Sequence, residues 1–422
     1  MEIETITIEG NSYLTGEVTL SESVMASKIA LIAGILSQNP TVVKNPPDCK
    51  TLGDTTEILA FIGAQILTDD GVSIHGESIS MSAIPPNKTL TTFELVLIWA
   101  TLLARFGKAG IPETVIASHS YLRPILEAFG VTVELESHYV VAYLPTTKKD
   151  CAVTLPSEMS FEDKVLASLV ALTLATSGLK TTIKQCAPSE EFDILKAVFT
   201  QMGVHIQGDN LEIVVESVPE LIGILYVVPP SSREALLYLA LVAVSKGDIQ
   251  ITNFPNKSLS RITKRLLDRG VEFSLDKEVL RVWQKDQVFT PSIQTLSESQ
   301  RLPLIWQSVL SVISGLSDGE SQLFIEKHKV SEIVSPLSSC GVEVTVLPSD
   351  PFTSEVRIFG PHKFRATKFA PESYESAVSA LLCAQAASGT SEISYSNAIK
   401  DVHQNIFSSL AKLGMKIYGY QE

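Results

Sequence analysis

The sequence predicts an α/β fold built from six copies of one helix and strand unit, and three observations carry that prediction. A phrase of helix, glycine and strand recurs at Gly63, Gly130, Gly203, Gly270, Gly341 and Gly414, which stand 67, 73, 67, 71 and 73 residues apart. A period that long marks a repeated supersecondary unit. About two dozen residues before each of these glycines, an apolar run stops at a breaker, Asn39, Gly107, Gly178, Gly247, Gly319 or Gly389, and a short β-rich run follows. Glycine after a last helical turn supplies the left-handed residue that ends a helix. Each unit therefore reads as apolar helix, strand, amphipathic helix, strand, and often one further strand such as HYVVAYL after Ser137 or NLEIVV after Asp209. Alternation of helix with strand gives the α/β class.

Taken in order, residues Ile3 to Thr19 read as a hairpin-like pair of strands ending in LTGEVTL. Ser21 is a candidate cap for the first apolar helix, where Met25, Ile29, Ala30, Leu31, Ala33, Ile35 and Leu36 are apolar almost all round. Such a helix has to be buried. Its counterparts start at Thr91, Ser160, Ser231 or Ser232, between Ser297 and Pro303, and at Ser373. A hydroxyl followed three residues later by an acid forms the capping-box pattern at Thr91 with Glu94, Ser160 with Asp163 and Ser231 with Glu234. In the clearest repeat, LEAFGVTVEL, alternation points Val131, Val133 and Leu135 inward. Six buried helices in six units imply a three-fold pseudo-symmetric arrangement in each half, helices inside and sheets outside.

Composition narrows the function classes. A chain of 422 residues exceeds one ordinary core, and six units divide naturally into two domains of three. The net charge of −14 argues against a nucleic-acid surface, because neutralising phosphates needs clustered Lys and Arg. Five scattered cysteines, Cys49, Cys151, Cys186, Cys340 and Cys383, lack metal-ligand spacing and read as free thiols in a reducing cytoplasm. The opening MEIETITIEG is acidic and strand-like, unlike a signal peptide. The most apolar runs, FELVLIWATLLARF and KVLASLVALTLATS, are too short to span a bilayer. GxSxG, Walker, HExxH and paired CxxC motifs are absent from the sequence, so no metal site is expected.

The opening IEGNSYLTGEVTLS, the later KTLGDTTEILAFIGAQI, the run IWATLLARFG and the six-unit layout resemble the enolpyruvyl transferase family, with LTGEV and ARFG closer to its sugar-nucleotide branch. The resemblance covers essentially the whole chain. It implies a two-domain inverted α/β barrel of six βαβαββ-type repeats, with residues 20–228 as one domain and residues 1–19 plus 229–422 as the other. It also implies an active site in the cleft between domains. There, members move an enolpyruvyl group from phosphoenolpyruvate to a hydroxyl of a phosphorylated acceptor, with no metal or other cofactor. Two anionic ligands require Lys and Arg forks and free helix N-termini.

Carried over position by position, that machinery is substituted. Where the family shows a Lys-Asn or Lys-Ser pair after the LxGEV strand, this chain has Ser23, Val24 and Met25, and Lys28 is the nearby cation. The arginine opening the second apolar helix becomes Phe93. In the lid segment Gly110 to Pro124, Pro112 falls nearest the sugar-nucleotide branch's cysteine and Ala117 nearest its arginine. A Ser-Ser pair becomes Glu162-Asp163, the catalytic aspartate becomes Ile305, and the arginine of the last helix becomes Glu375. Acids thus stand at the helix N-termini, where they satisfy the orphan N–H groups and the dipole. An anion arriving about 4 Å from such an acid meets repulsion of roughly 1 to 4 kcal/mol, depending on screening.

The remaining substrate-binding candidates are Lys28, Arg123, Arg233, Glu234 and Lys400, and no catalytic residue is assigned. His119 and His403 read as lone histidines. The expectation is a divergent family member, catalytically degenerate for phosphoenolpyruvate transfer (a pseudoenzyme in that sense), that serves as a binding or regulatory protein for a protein partner or acts on a different, less anionic small molecule in the interdomain cleft, with neither nucleic acid nor membrane as a target. The alternative is an active carboxyvinyltransferase in which Lys28, Arg123, Arg233 and Lys400 form an anion clamp.

Overall fold

The computed structural model describes residues 5–86, 89–147, 149–156, 159–178, 180–255, 263, 265–267, 270–284, 291–294, 302–350, 353–394 and 397–420. The chain divides into two compact units, Val24–Val228 and Met1–Ser23 joined with Pro229–Glu422. Each unit has its own hydrophobic core.

Three sheets of the same strand order cover the Val24–Val228 unit. In one, Cys151–Thr154 lies parallel to Lys180–Lys184, which pairs antiparallel with Glu212–Glu216 and then His205–Gly208. In another, Leu225–Val227, Thr41–Lys44, Val72–His75 and Gln65–Leu67 follow the same order. In the third, Lys108–Pro112, Tyr139–Tyr143 and Thr132–Glu136 do so, and a bridge from Ala83 to Gly110 occupies the parallel place.

The other unit repeats the order three times. Thr15–Thr19, Asp248–Thr252, Val279–Gln284 and Val271–Asp276 form one sheet. Gly319–Glu326, Thr353–Gly360 and Val344–Pro348 form the next, with the Ile293 bridge to Gln322 in the parallel place. The last is Lys368–Phe369, Thr390–Ser394, Thr5–Glu9 and Lys416–Tyr418. The two N-terminal strands thus enter different sheets, which corrects the hairpin expectation. Each completes a unit whose other strands lie hundreds of residues later.

Six apolar helices form the cores. Val24–Gly34, Thr92–Phe106 and Phe161–Ala175 are buried along nearly their whole length in one unit, as are Ser232–Ser245, Leu304–Leu316 and Tyr374–Ala386 in the other. A helix apolar all round has no solvent face, so sheets must enclose it. The first helix begins at Val24, and Ser21 serves as a backbone partner elsewhere instead of its cap. The fifth starts from Pro303, and most of the expected Ser297 to Pro303 start lies outside the described residues.

All six repeat-marking glycines have positive φ, from 71° at Gly130 to 105° at Gly63. The strand after Gly130 departs from expectation: Val131 is buried, but Val133 and Leu135 are 49 % and 64 % exposed. Thr132–Glu136 is an edge strand exposed throughout, so alternation there does not mark a core face.

Candidate functional site

In the Val24–Val228 unit, polar chemistry collects at the start of the second central helix. Thr91 caps Thr92–Phe106, its Oγ1 accepting from Glu94 N, while the Glu94 carboxylate reaches back to the Thr91 N–H at 2.8 Å. Glu94 is only 3 % exposed and makes three further bonds. Its Oε2 accepts from Thr91 Oγ1 at 2.7 Å, and its Oε1 accepts from Thr55 Oγ1 at 3.2 Å and from Lys28 Nζ at 2.6 Å. Lys28 lies within the helix Val24–Gly34, whose other residues are apolar save Ser27, and is 8 % exposed. Lys28, the cation of the first helix, is therefore engaged by an acid of its own chain.

The segment that the resemblance matches to the family's lid is built as strand Lys108–Pro112, a short helix Glu113–Ile116, a turn at Ser120–Leu122 and helix Arg123–Ala128. Ser118 Oγ and His119 Nδ1 lie 2.9 Å apart, and the His119 ring tilts against Tyr121. Burial lowers the His119 pKa although the Asp163 carboxylate works the other way. Asp163 sits in the first turn of Phe161–Ala175, where its N–H donates to Ser160 Oγ. Arg123 is well exposed and donates from Nε to Glu127 Oε1 at 2.8 Å, one helical turn on.

In the second unit the helices Ser232–Ser245 and Tyr374–Ala386 bring a second polar cluster together. Ser231 caps the first of these by accepting from Glu234 N. The Glu234 side chain does not return to its own cap; it accepts from the Ser21 N–H at 3.0 Å. Glu234 is 1 % exposed, and burial pushes its carboxyl up to about 7, opposed by hydrogen bonding from Ser21.

Beside it, the Tyr374 hydroxyl and His403 Nε2 lie 2.7 Å apart. His403 is 2 % exposed; burial, seconded by the nearby Arg233 charge, drives its pKa down to about 3. Tyr374 is pushed up by burial, with Glu375 and Glu234 adding to the rise. Lys400 ends the short helix Asn397–Lys400, which packs on Tyr374–Ala386. Ile305, which the resemblance sets against the family's aspartate, is part of the apolar core.

Of the sequence-predicted residues, the structure groups Arg233 and Glu234 with the Tyr374–His403 pair, whereas Lys28 and Arg123 stand apart from each other, each with its own acid. The Tyr374–His403 pair was not anticipated: its members are 29 residues apart, with no spacing rule to join them. Among the described residues no group of three or more His, Cys, Asp or Glu side chains is placed to hold a metal ion. No helix among them is long and apolar enough to cross a membrane.

Comparison with known proteins agrees with this architecture. The chain is 27 % identical over 436 residues to the UDP-N-acetylglucosamine 1-carboxyvinyltransferase of Desulfosudis oleivorans, covering 98 % of this chain and 99 % of that one. The enzyme of the same name from Psychrobacter arcticus is also 27 % identical, over 425 residues and 97 % of each chain. Among solved structures, the enolpyruvyl transferase NikO from Streptomyces tendae superposes with a TM-score of 0.79 at 18 % identity over 99 % of both chains. An EPSP synthase from Acinetobacter baumannii superposes with a TM-score of 0.75 at 12 % identity, covering 99 % of this chain and 100 % of that one. The family model described as EPSP synthase (3-phosphoshikimate 1-carboxyvinyltransferase) matches residues 8–298, and with the two-unit inverted α/β architecture this shows that the chain belongs to the enolpyruvyl transferase family.

Proposed function

We propose that this chain is a family member that has lost phosphoenolpyruvate transfer and acts as a binding or regulatory protein for a less anionic ligand or a protein partner. The observation that carries the reading is the Lys28–Glu94 pair. A helix start and a cation that the family fold would offer to a phosphate are here joined to each other. A phosphate entering there would have to displace a buried carboxylate that already accepts four hydrogen bonds. Ile305, Pro112 and Glu375, at the positions that resemble the family's aspartate, cysteine and arginine, support the same reading. The five cysteines are free thiols, which suits a cytoplasmic setting.

Release of inorganic phosphate from phosphoenolpyruvate, with UDP-N-acetylglucosamine or shikimate phosphate as acceptor, tests the proposal. The expected result is background release with both, and turnover with either overturns it. A melting series adds a binding readout, because a ligand at 100 times its dissociation constant adds about 2.7 kcal/mol of stability. Phosphoenolpyruvate and both acceptors are expected to leave the melt unchanged. The names and full-length coverage of the relatives favour the second reading, an active carboxyvinyltransferase, and the same phosphate assay decides between the two.

A further inference from the structure

The chain passes between its two units at Ser23–Val24 and returns at Val228–Pro229. The segments leading to these crossings lie side by side. The Ser231 N–H donates to the Ser21 carbonyl and the Ser23 N–H donates to the Pro229 carbonyl, both at 2.8 Å, and Glu22 bridges antiparallel to Pro230. An isolated bridge this short is marginal without further support. That support comes from Glu234, whose carboxylate takes the Ser21 N–H while its own N–H is held by Ser231 Oγ. One buried residue thus touches both crossover segments, its carboxylate on Ser21 and its backbone N–H on Ser231, with Ser21 213 positions away in sequence.

We propose that Glu234 is a proton-operated latch on the crossover, staying buried under the paired segments when protonated and, when ionised, drawing in water and releasing Ser21. The groups facing it come from every surrounding element. Glu22 arrives from the crossover; Arg233 and Tyr238 lie on its own helix; Tyr374 and Glu375 come from the helix Tyr374–Ala386, and His403 lies beyond them. Glu22 adds negative charge beside Glu234, whereas Arg233 and Glu375 act on Tyr374 and Arg233 also on His403. His403 stays neutral throughout, because its pKa lies near 3, and burial raises Tyr374 away from the same range. That leaves Glu234, at about 7, as the buried group of this cluster that changes charge between weakly acidic and neutral pH.

The direction follows from linkage. In the latched state the carboxyl is raised above its ordinary value of 4.5, so burying it stabilises the latch fully below that value. The stabilisation is lost as pH rises towards about 7, the opening equilibrium shifting by about tenfold per pH unit in that window. Above both values the dependence flattens.

Hydrogen exchange of the full chain, followed at residues 21–23 and 229–231 from pH 5 to pH 8 and corrected for intrinsic rates, tests the latch. Protection is expected to fall at least tenfold between about pH 5 and 7 and to level off above, while Glu234→Gln stays flat. A flat wild-type profile overturns the proposal, as does an equal fall in Glu234→Gln. Glu22→Lys provides a second variant: a positive charge beside the carboxyl moves the fall to lower pH, and an unmoved fall also overturns the proposal.

Discussion

Glu94 accepts four hydrogen bonds and neutralises Lys28 inside the core, so each partner depends on the other more than either contributes to net stability. Removing one member of a buried ion pair leaves an uncompensated charge and costs about 3 to 5 kcal/mol. Glu94→Gln should therefore lower the unfolding free energy in urea by about that amount, whereas the double variant Lys28→Met with Glu94→Leu should recover most of it. Half of this arrangement was legible: Thr91 and Glu94 have capping-box spacing. The other half was not, since Lys28 is 66 residues from Glu94 and nothing local ties them. His403 gives a prediction of the opposite kind from Glu234. Its folded pKa is depressed to about 3 from 6.5, so its contribution is present above 6.5 and is lost as pH falls below that value. The loss should run at about 1 kcal/mol per pH unit, and His403→Gln should flatten the decline in urea stability from pH 7 to pH 5 relative to wild type.

Among the elements, the clearest sequence signal was backbone chemistry. The six periodic glycines are all left-handed, a conformation in which an L side chain costs about 1 to 2 kcal/mol. Gly203 isolates that cost. Its φ is +102°, and an added Cβ would meet only the Val218 side chain, at 3.9 Å, so Gly203→Ala should destabilise by about 1 to 2 kcal/mol through conformation alone. At Gly63 the Cβ would also meet the Ser78 carbonyl at 2.9 Å, so Gly63→Ala should cost more in the same urea titration. Ser160, which caps Phe161–Ala175, should cost about 1 kcal/mol when changed to Ala. Strand sidedness was less legible. Val133 and Leu135 alternate correctly, yet sit on an edge strand exposed on both faces, because alternation records a face and not what covers it.

For the whole molecule, chain order and sheet order part company. The unit Val24–Val228 is continuous and contains every strand of its three sheets. The other unit borrows two strands from the N-terminus, a pairing that local sequence could not reveal. Thr15–Thr19 lies at the edge beside Asp248–Thr252, and Thr5–Glu9 lies between Thr390–Ser394 and Lys416–Tyr418. Without Thr5–Glu9, Lys416–Tyr418 has no partner strand and Thr390–Ser394 gains an open edge of the kind that aggregates. A fragment of residues 24–228 should therefore melt cooperatively on its own, while residues 229–422 should not. Joining residues 229–422 through a short glycine linker to residues 1–23 should restore cooperative melting, since Gly419 already lies against the Thr5 carbonyl. Circular dichroism melts of the three polypeptides check this. Equal cooperativity in the bare and the rejoined 229–422 chains would show that the N-terminal strands decorate this unit without completing it.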